Sequence, residues 1–113
     1  MYKLSDRDLE TLLQKGPVAI SISSYKWLSY SSGIFNLCDS YSKVDHAVLL
    51  VGYTPDYWII KNQWGVNWGE NGYIRISKNR LNNCKIGTSA FIMWESIYTL
   101  TIYALVFFLM IFT

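Results

Sequence analysis

The chain has 113 residues, 51% of them hydrophobic and 17% aromatic, and its formal charge of +2 is scattered along the sequence. That length suits one small domain with a modest core. The absence of a basic stripe or an acidic run excludes nucleic acid as a natural partner.

The first ten residues are polar and charged and do not read as a signal peptide. Leu4-Ser5-Asp6-Arg7-Asp8-Leu9 reads as a helix start. Ser5 is suited to the N-cap, Asp6 and Asp8 to the positive end of the helix dipole, and Leu4 can staple to Leu9. Leu9, Leu12 and Leu13 form one apolar stripe, and Gly16-Pro17 is expected to end the helix through a left-handed C-cap. Val18 to Ser23 alternates large apolar with small or polar residues, the pattern of a strand with one buried face.

Ser24 to Ser42 is rich in Ser and Tyr and reads as a long surface connection. Ala47 to Tyr53 is an almost continuous apolar run, expected as a strand buried on both faces. Thr54-Pro55-Asp56 is a turn, and Tyr57 to Lys61 the return strand of a hairpin. Gln63 to Gly72 is a loop of Gly, Trp and Asn. Tyr73 to Ser77 is a further strand, and Ile86 to Ile92 is a candidate for the last. There is no internal repeat.

Cys38 and Cys84 are the only two cysteines, far apart and outside any CxxC spacing. By themselves they read equally as one disulfide or as two buried thiols. With a single histidine they make a poor zinc set, and no metal or other cofactor is expected.

That histidine is His46, at the start of the first hairpin strand; Asn62 lies where the second runs out. Both therefore fall near the same end of the hairpin. An imidazole exchanges a proton near neutral pH, and a carboxamide beside it can fix which ring nitrogen holds that proton. The other nitrogen would then face a nucleophile. A core histidine beside a loop asparagine is the alternative that spacing alone leaves open.

The segments VDHAVLLVGY, YWIIKNQWG and NWGENGYIRI resemble the second half of a papain-family cysteine peptidase. Gly16-Pro17-Val18 and Gly33-Ile34-Phe35 resemble family motifs too, in the family's order from about Leu9 to Phe91. The resemblance implies an α+β fold: the family's right-hand domain, an antiparallel β-barrel-like sheet with one short N-terminal helix. It implies that His46 is the catalytic base and Asn62 its orienting partner. Trp64 would cover their hydrogen bond, since a dry bond holds its geometry. Trp68 would form a primed-side wall of the cleft, and Cys38 and Cys84 would pair as a disulfide. Ser21, Val44, Ala47 and Ser89 would line an open specificity pocket for an apolar side chain, although strand packing explains Val44 and Ala47 nearly as well.

Three departures stand out. Gln63 replaces the family's Ser after the catalytic Asn, and Lys85 its Gly after the second cysteine. The third is the absence of the family's nucleophile segment, of C-G-S-C-W type, and of its oxyanion-hole Gln. The chain therefore looks like the carboxy-terminal part of a longer product or a truncated gene model. Alone it is expected to be inactive, because a base without a nucleophile has nothing to activate.

From Ser96 to Thr113 there is no charged residue, and these 18 residues as a helix would span about 27 Å, enough for a bilayer core. The expected division is thus a half-domain over 1–95 and a hydrophobic helical tail over 96–113, read as a membrane anchor. A lipid-anchor signal would need a polar spacer, which Ile92-Met93-Trp94-Glu95 is not. A buried helix or strand, or a misplaced gene boundary, are the plainer alternatives.

The function implied by the resemblance is that of a papain-like endopeptidase in a lysosome-like or secretory compartment. Its partners would be a polypeptide substrate, the missing N-terminal half and a membrane. The competing reading is a non-catalytic binding or decoy module on a membrane. Keeping both His46 and Asn62 favours the peptidase.

Overall fold

The computed structural model describes residues 3–39, 41–92, 105–106 and 108–110. Helix α1 (Asp6–Leu13) precedes six strands: β1 (Val18–Ile22), β2 (Ile34–Phe35), β3 (His46–Tyr53), β4 (Tyr57–Lys61), β5 (Tyr73–Ser77) and β6 (Ser89–Ile92). They form one sheet in the order β2-β5-β4-β3-β1-β6.

A capping box opens α1. The Ser5 hydroxyl accepts from Asp8 N–H at 3.1 Å, and Ser5 N–H donates to the Asp8 carboxylate at 3.0 Å. The Ser5 backbone N–H, with its hydroxyl alongside, holds the Asp8 carboxyl below its usual range. Leu9 is fully buried, and Leu4, Leu12 and Leu13 pack against the same core. The helix ends differently from expectation. Its C-cap is Gln14 in right-handed geometry, and Gly16 is not among the glycines with positive φ. The last turn tightens through Gln14 N–H to Thr11 O and Lys15 N–H to Leu12 O, and Pro17 bars continuation.

The turn between β3 and β4 is closed by Thr54 N–H donating to Tyr57 O at 2.9 Å. Both strands lie within a residue of where the apolar run and the Pro-Asp turn put them. One face of the sheet carries Val18, Ile20, Ile22, Val48, Leu50, Trp58, Ile60, Ile74 and Ile76, all essentially inaccessible, and this is the core.

Four expectations need correction. β1 lies between β3 and β6, so Ala19, on the face opposite Ile20, is buried as well, and the strand does not have a single buried face. β3 is buried on both faces only over Val48, Leu49 and Leu50. The Ser/Tyr-rich connection is not merely a surface loop: a 3-10 turn over Trp27–Ser29 drives Trp27 into the core, followed by Tyr30, Phe35 and Cys38. Finally, the sheet is open rather than barrel-like. β2 pairs with β5 in parallel and β6 with β1 antiparallel, which leaves β2 and β6 at the two edges. Two residues of β2 are too few to carry the curvature and stagger that closure requires.

The Cys38–Cys84 disulfide forms, with Cα atoms 5.1 Å apart. It joins the connection after β2 to the turn before β6. The final strand begins at Ser89, because Ile86 and Thr88 are held in turns by bonds to Asn83 O and Lys85 O.

Most of the tail over 96–113 lies outside the described residues, of which 105–106 and 108–110 are helical. Among the described residues no helix is long and apolar enough to cross a membrane. The expected hydrophobic membrane-spanning helix therefore has no support.

Candidate active site

His46 opens β3, and Asn62 immediately follows β4. The pairing of Leu49 with Lys61 brings both to the open end of the hairpin. There the imidazole Nε2 lies 2.8 Å from Asn62 Oδ1. Asn62 is buried, and its backbone N–H donates to Gly72 O at 3.0 Å, which anchors it to the far side of the Trp-rich loop.

Chemistry assigns the tautomer. Asn62 Oδ1 also accepts from Gln63 N–H at 2.9 Å, an obligate donor, so the atom facing the imidazole is the carbonyl oxygen. Nε2 must then carry the proton, and Nδ1 is left as the acceptor. Among the described residues nothing bonds to Nδ1.

Aromatic rings enclose this pair. Trp64 lies 5.2 Å from the His46 ring at a 35° tilt, and Trp27 meets it edge-on at 5.8 Å. Trp68 stacks on Trp27 at 6.0 Å, and its indole N–H donates to Trp27 O at 2.9 Å. Tyr30 packs on Trp68 at 5.4 Å. These contacts account for the two Trp-Gly pairs. Gly69 has φ +59°, and a Cβ there would sit 2.6 Å from Tyr73 O, so only glycine lets the chain turn back under Trp68.

A polar strut supports the loop from behind. Arg75 binds Glu70 through two bonds of 2.8 Å, and Glu70 accepts from Gly33 N–H at 3.1 Å. The guanidinium hydrogen bonds pull the Glu70 carboxyl down to about 2. Tyr30 completes the strut by donating to Gly33 O at 2.6 Å, and burial raises its phenol above the usual range.

Ser21, Ala47 and Ser89 fall in one row across three strands, because Ser21 pairs with both Ala47 and Ser89. Residues directly opposite share a face, so all three lie on the face away from His46, which pairs with Ile22. Ala47 is exposed and the two serines half-buried. Val44 precedes β3 and lies outside that paired row.

Three further contributors carry no local signal in the sequence. Trp27 lies in the Ser/Tyr-rich connection, and no periodicity marks it as a core residue. Asp45 uses Oδ1 to accept from both the N–H and the hydroxyl of Ser24 at 2.9 Å, fixing the residue before His46. The Glu70–Arg75 pair joins the end of the Trp-rich loop to β5, residues five apart, a spacing that no helical or strand period would reveal. Of the departures, Lys85 is answered directly: it takes φ +58°, the left-handed conformation a glycine would suit.

Fold and site together define a class, the sheet-rich half of a papain-like cysteine protease. A cysteine protease of Carica candamarcensis superposes with a TM-score of 0.67 at 37% identity, covering 76% of this chain and 42% of that one. The digestive procathepsin L 3 of the Tenebrio molitor larval midgut gives 0.68 at 41% identity, covering 80% and 32%. The family pattern of papain family cysteine proteases matches residues 2–94. A viral cathepsin of Spodoptera litura multicapsid nucleopolyhedrovirus is 49% identical over 90 residues, 74% of this chain and 26% of that protein. A cathepsin L-like protein of Caenorhabditis elegans is 45% identical over 85 residues, 67% of this chain and 25% of its own length.

The chain belongs to the papain family of cysteine proteases, and it corresponds to the C-terminal part of its relatives. It spans about a quarter of the length of the two curated relatives described above.

Proposed function

We propose that the chain is the base-bearing half of a papain-like endopeptidase and hydrolyses peptide bonds only together with a half that carries the nucleophile. The observation that carries this reading is the 2.8 Å contact between His46 Nε2 and Asn62 Oδ1 beside Trp64. Nδ1 takes the proton of an incoming cysteine thiol, and the resulting thiolate attacks the peptide carbonyl. Asn62 holds the imidazolium through Nε2–H. The Nδ1 proton then goes to the leaving amine, and a water that gives its proton to Nδ1 cleaves the thioester left on the sulfur, releasing the acid and restoring the thiol. The surrounding indoles keep water from the Nε2–Oδ1 bond.

Alone, the chain is inactive. Both of its cysteines are in the disulfide, so neither supplies a thiolate. The row of Ser21, Ala47 and Ser89, with Val44 at its edge, lines the pocket for an apolar substrate side chain. The half-domain is assigned to 1–95 and the hydrophobic tail to 96–113. The disulfide suits a lysosome-like or secretory compartment.

The test uses a thiol-directed peptidase probe on the isolated chain and on the same chain joined to the cysteine-bearing half of a family member. The isolated chain stays unlabelled, and the joined protein is labelled and cleaves peptides. His46→Ala then lowers kcat/KM by about 10²–10⁴-fold. Labelling of the isolated chain would overturn its inactivity, and full activity of the His46→Ala hybrid would overturn the role of His46. A hybrid that binds peptide without turnover would favour a binding module instead.

A further inference from the structure

The core occupies one face of the sheet. Helix α1 and the connection through Trp27 pack there, with Val18, Ile20, Ile22, Val48 and Leu50. Ala19 and Leu49 alternate with those strand residues and so point to the other, outer face, where they pair across β1 and β3. Both are nonetheless buried, at 4% and 5% exposure, although neither belongs to the core. Phe91, beside Ala19 in the same row, is 59% exposed, and Ala47, two residues from Leu49 on the same face, is exposed as well. The outer face is therefore covered over the Ala19–Leu49 pair and open around it. Among the described residues one further apolar side chain is buried outside the core, Met110 at 6%.

We infer that the part of the C-terminal tail holding Val106 and Met110 folds back over the outer face of the sheet, with Met110 seated on Ala19 and Leu49. Residues 105–106 and 108–110 are helical, and their burial is one-sided. Val106 and Met110, four apart and so on one helix face, are half-buried and buried, while Leu105, Phe108 and Leu109 are each more than half exposed. A helix is about 10 Å across with its side chains and neighbouring strands are about 4.8 Å apart, so one helix covers β1 and β3 and leaves Phe91 on β6 open. The lack of charge from Ser96 to Thr113 suits a segment laid on an apolar surface. Laid there, it borders the row of Ser21, Ala47 and Ser89, which lies two residues along β1, about 7 Å from the row of Ala19. The tail thus forms a wall beside that row and keeps water from Leu49. Nothing in this cover depends on His46 or Asn62.

The full chain is labelled with ¹³C at the methyl groups of Ala, Leu and Met. Nuclear Overhauser contacts are expected from the Met110 methyl to the methyls of Leu49 and Ala19 within one chain. Their absence overturns the inference. So does a contact seen only between differently labelled chains, which would make the cover a second copy's tail. Added phosphatidylcholine vesicles leave the contacts in place; their loss would mean that a bilayer, and not the sheet, takes the tail. Met110→Asp puts a charge where it cannot stay buried unpaired, and the cover lifts: relaxation of the Leu49 methyls by a soluble paramagnetic agent rises by up to about tenfold, the ratio of the exposure of Phe91 to that of Leu49. Phe108→Asp, on the exposed side, leaves that relaxation unchanged. Equal relaxation in Met110→Asp and the parent also overturns the inference. Should Met110→Asp not fold, the parent's methyl contacts decide, since they need no variant. Their failure leaves the pairing of His46 with Asn62 untouched.

Discussion

Reduction of the Cys38–Cys84 disulfide opens a loop with a sequence separation of 46 residues. Chain-entropy theory puts the unfolded-state constraint at about 2.1 + 1.5R ln n cal/mol/K. For n near 46 this is about 13.5 cal/mol/K, or about 4 kcal/mol at 25 °C. The native contacts around the crosslink do not depend on the S–S bond. Ser23 N–H donates to Cys84 O at 2.9 Å and Asn82 Nδ2–H donates to Cys38 O at 3.2 Å, and both bonds survive reduction. The loss therefore falls mainly on the unfolded side of the equilibrium. A chain this small has a total stability of about 5–15 kcal/mol, so the crosslink is a large share of it. Equilibrium unfolding in urea, followed by tryptophan fluorescence with and without excess reductant, measures the difference. With an m-value of about 1–1.5 kcal/mol/M, the midpoint falls by about 3 M. A fall of less than about 1 M would refute the reasoning, because the unfolded chain would then already be restrained by something other than the bond.

Glu70 supplies a pH test. Its folded carboxyl is depressed to about 2 from an ordinary 4.5, so its contribution is complete above pH 4.5 and is lost as pH falls toward 2. The Tm gap between the parent and Glu70→Gln is therefore widest above pH 5 and closes on acidification; a gap constant from pH 6 to pH 2.5 would exclude the Glu70–Arg75 strut as its cause. Trp27 is fully buried, so Trp27→Ala costs about 3–5 kcal/mol in urea unfolding. Its indole nitrogen has no partner among the described residues, so Trp27→Phe forfeits volume but no hydrogen bond, and less than half the alanine cost is expected. Lys85 has φ +58°, where a side chain costs about 1–2 kcal/mol, while glycine adds about 0.5–1 kcal/mol of unfolded-state entropy. Lys85→Gly is thus expected to stabilise the chain by about 0.5–1 kcal/mol, and a lower Tm for that variant would contradict this account.

Parts of this protein are written locally in the chain. The capping box at Ser5 and Asp8 uses groups three residues apart, and the helix follows wherever that pair precedes an apolar stripe. Hairpin β3–β4 is equally local, because the Thr54-Pro55-Asp56 turn brings neighbouring strands together and so sets His46 and Asn62 at one end. That the two share one end of the hairpin was legible for that reason, whereas their role rested on the resemblance to the papain family. The row of Ser21, Ala47 and Ser89 is not local. They line up only because β1 inserts between β3 and β6, strands that are not neighbours in the sequence.

Only the tertiary structure decided where the remaining partners lay. Trp27 is buried because Trp68, from the loop after β4, and His46, from β3, pack on it, and nothing in its own Ser/Tyr-rich surroundings encodes that contact. β2 runs parallel to β5 because the edge of β5 was the unpaired one it could reach, and a two-residue strand has no period from which to read a direction. The physical division is between backbone preference and long-range pairing. Caps, turns and apolar alternation act over a few residues and can be read from one segment, whereas the choice of sheet edge and the closing of the aromatic wall depend on which surfaces other segments leave uncovered.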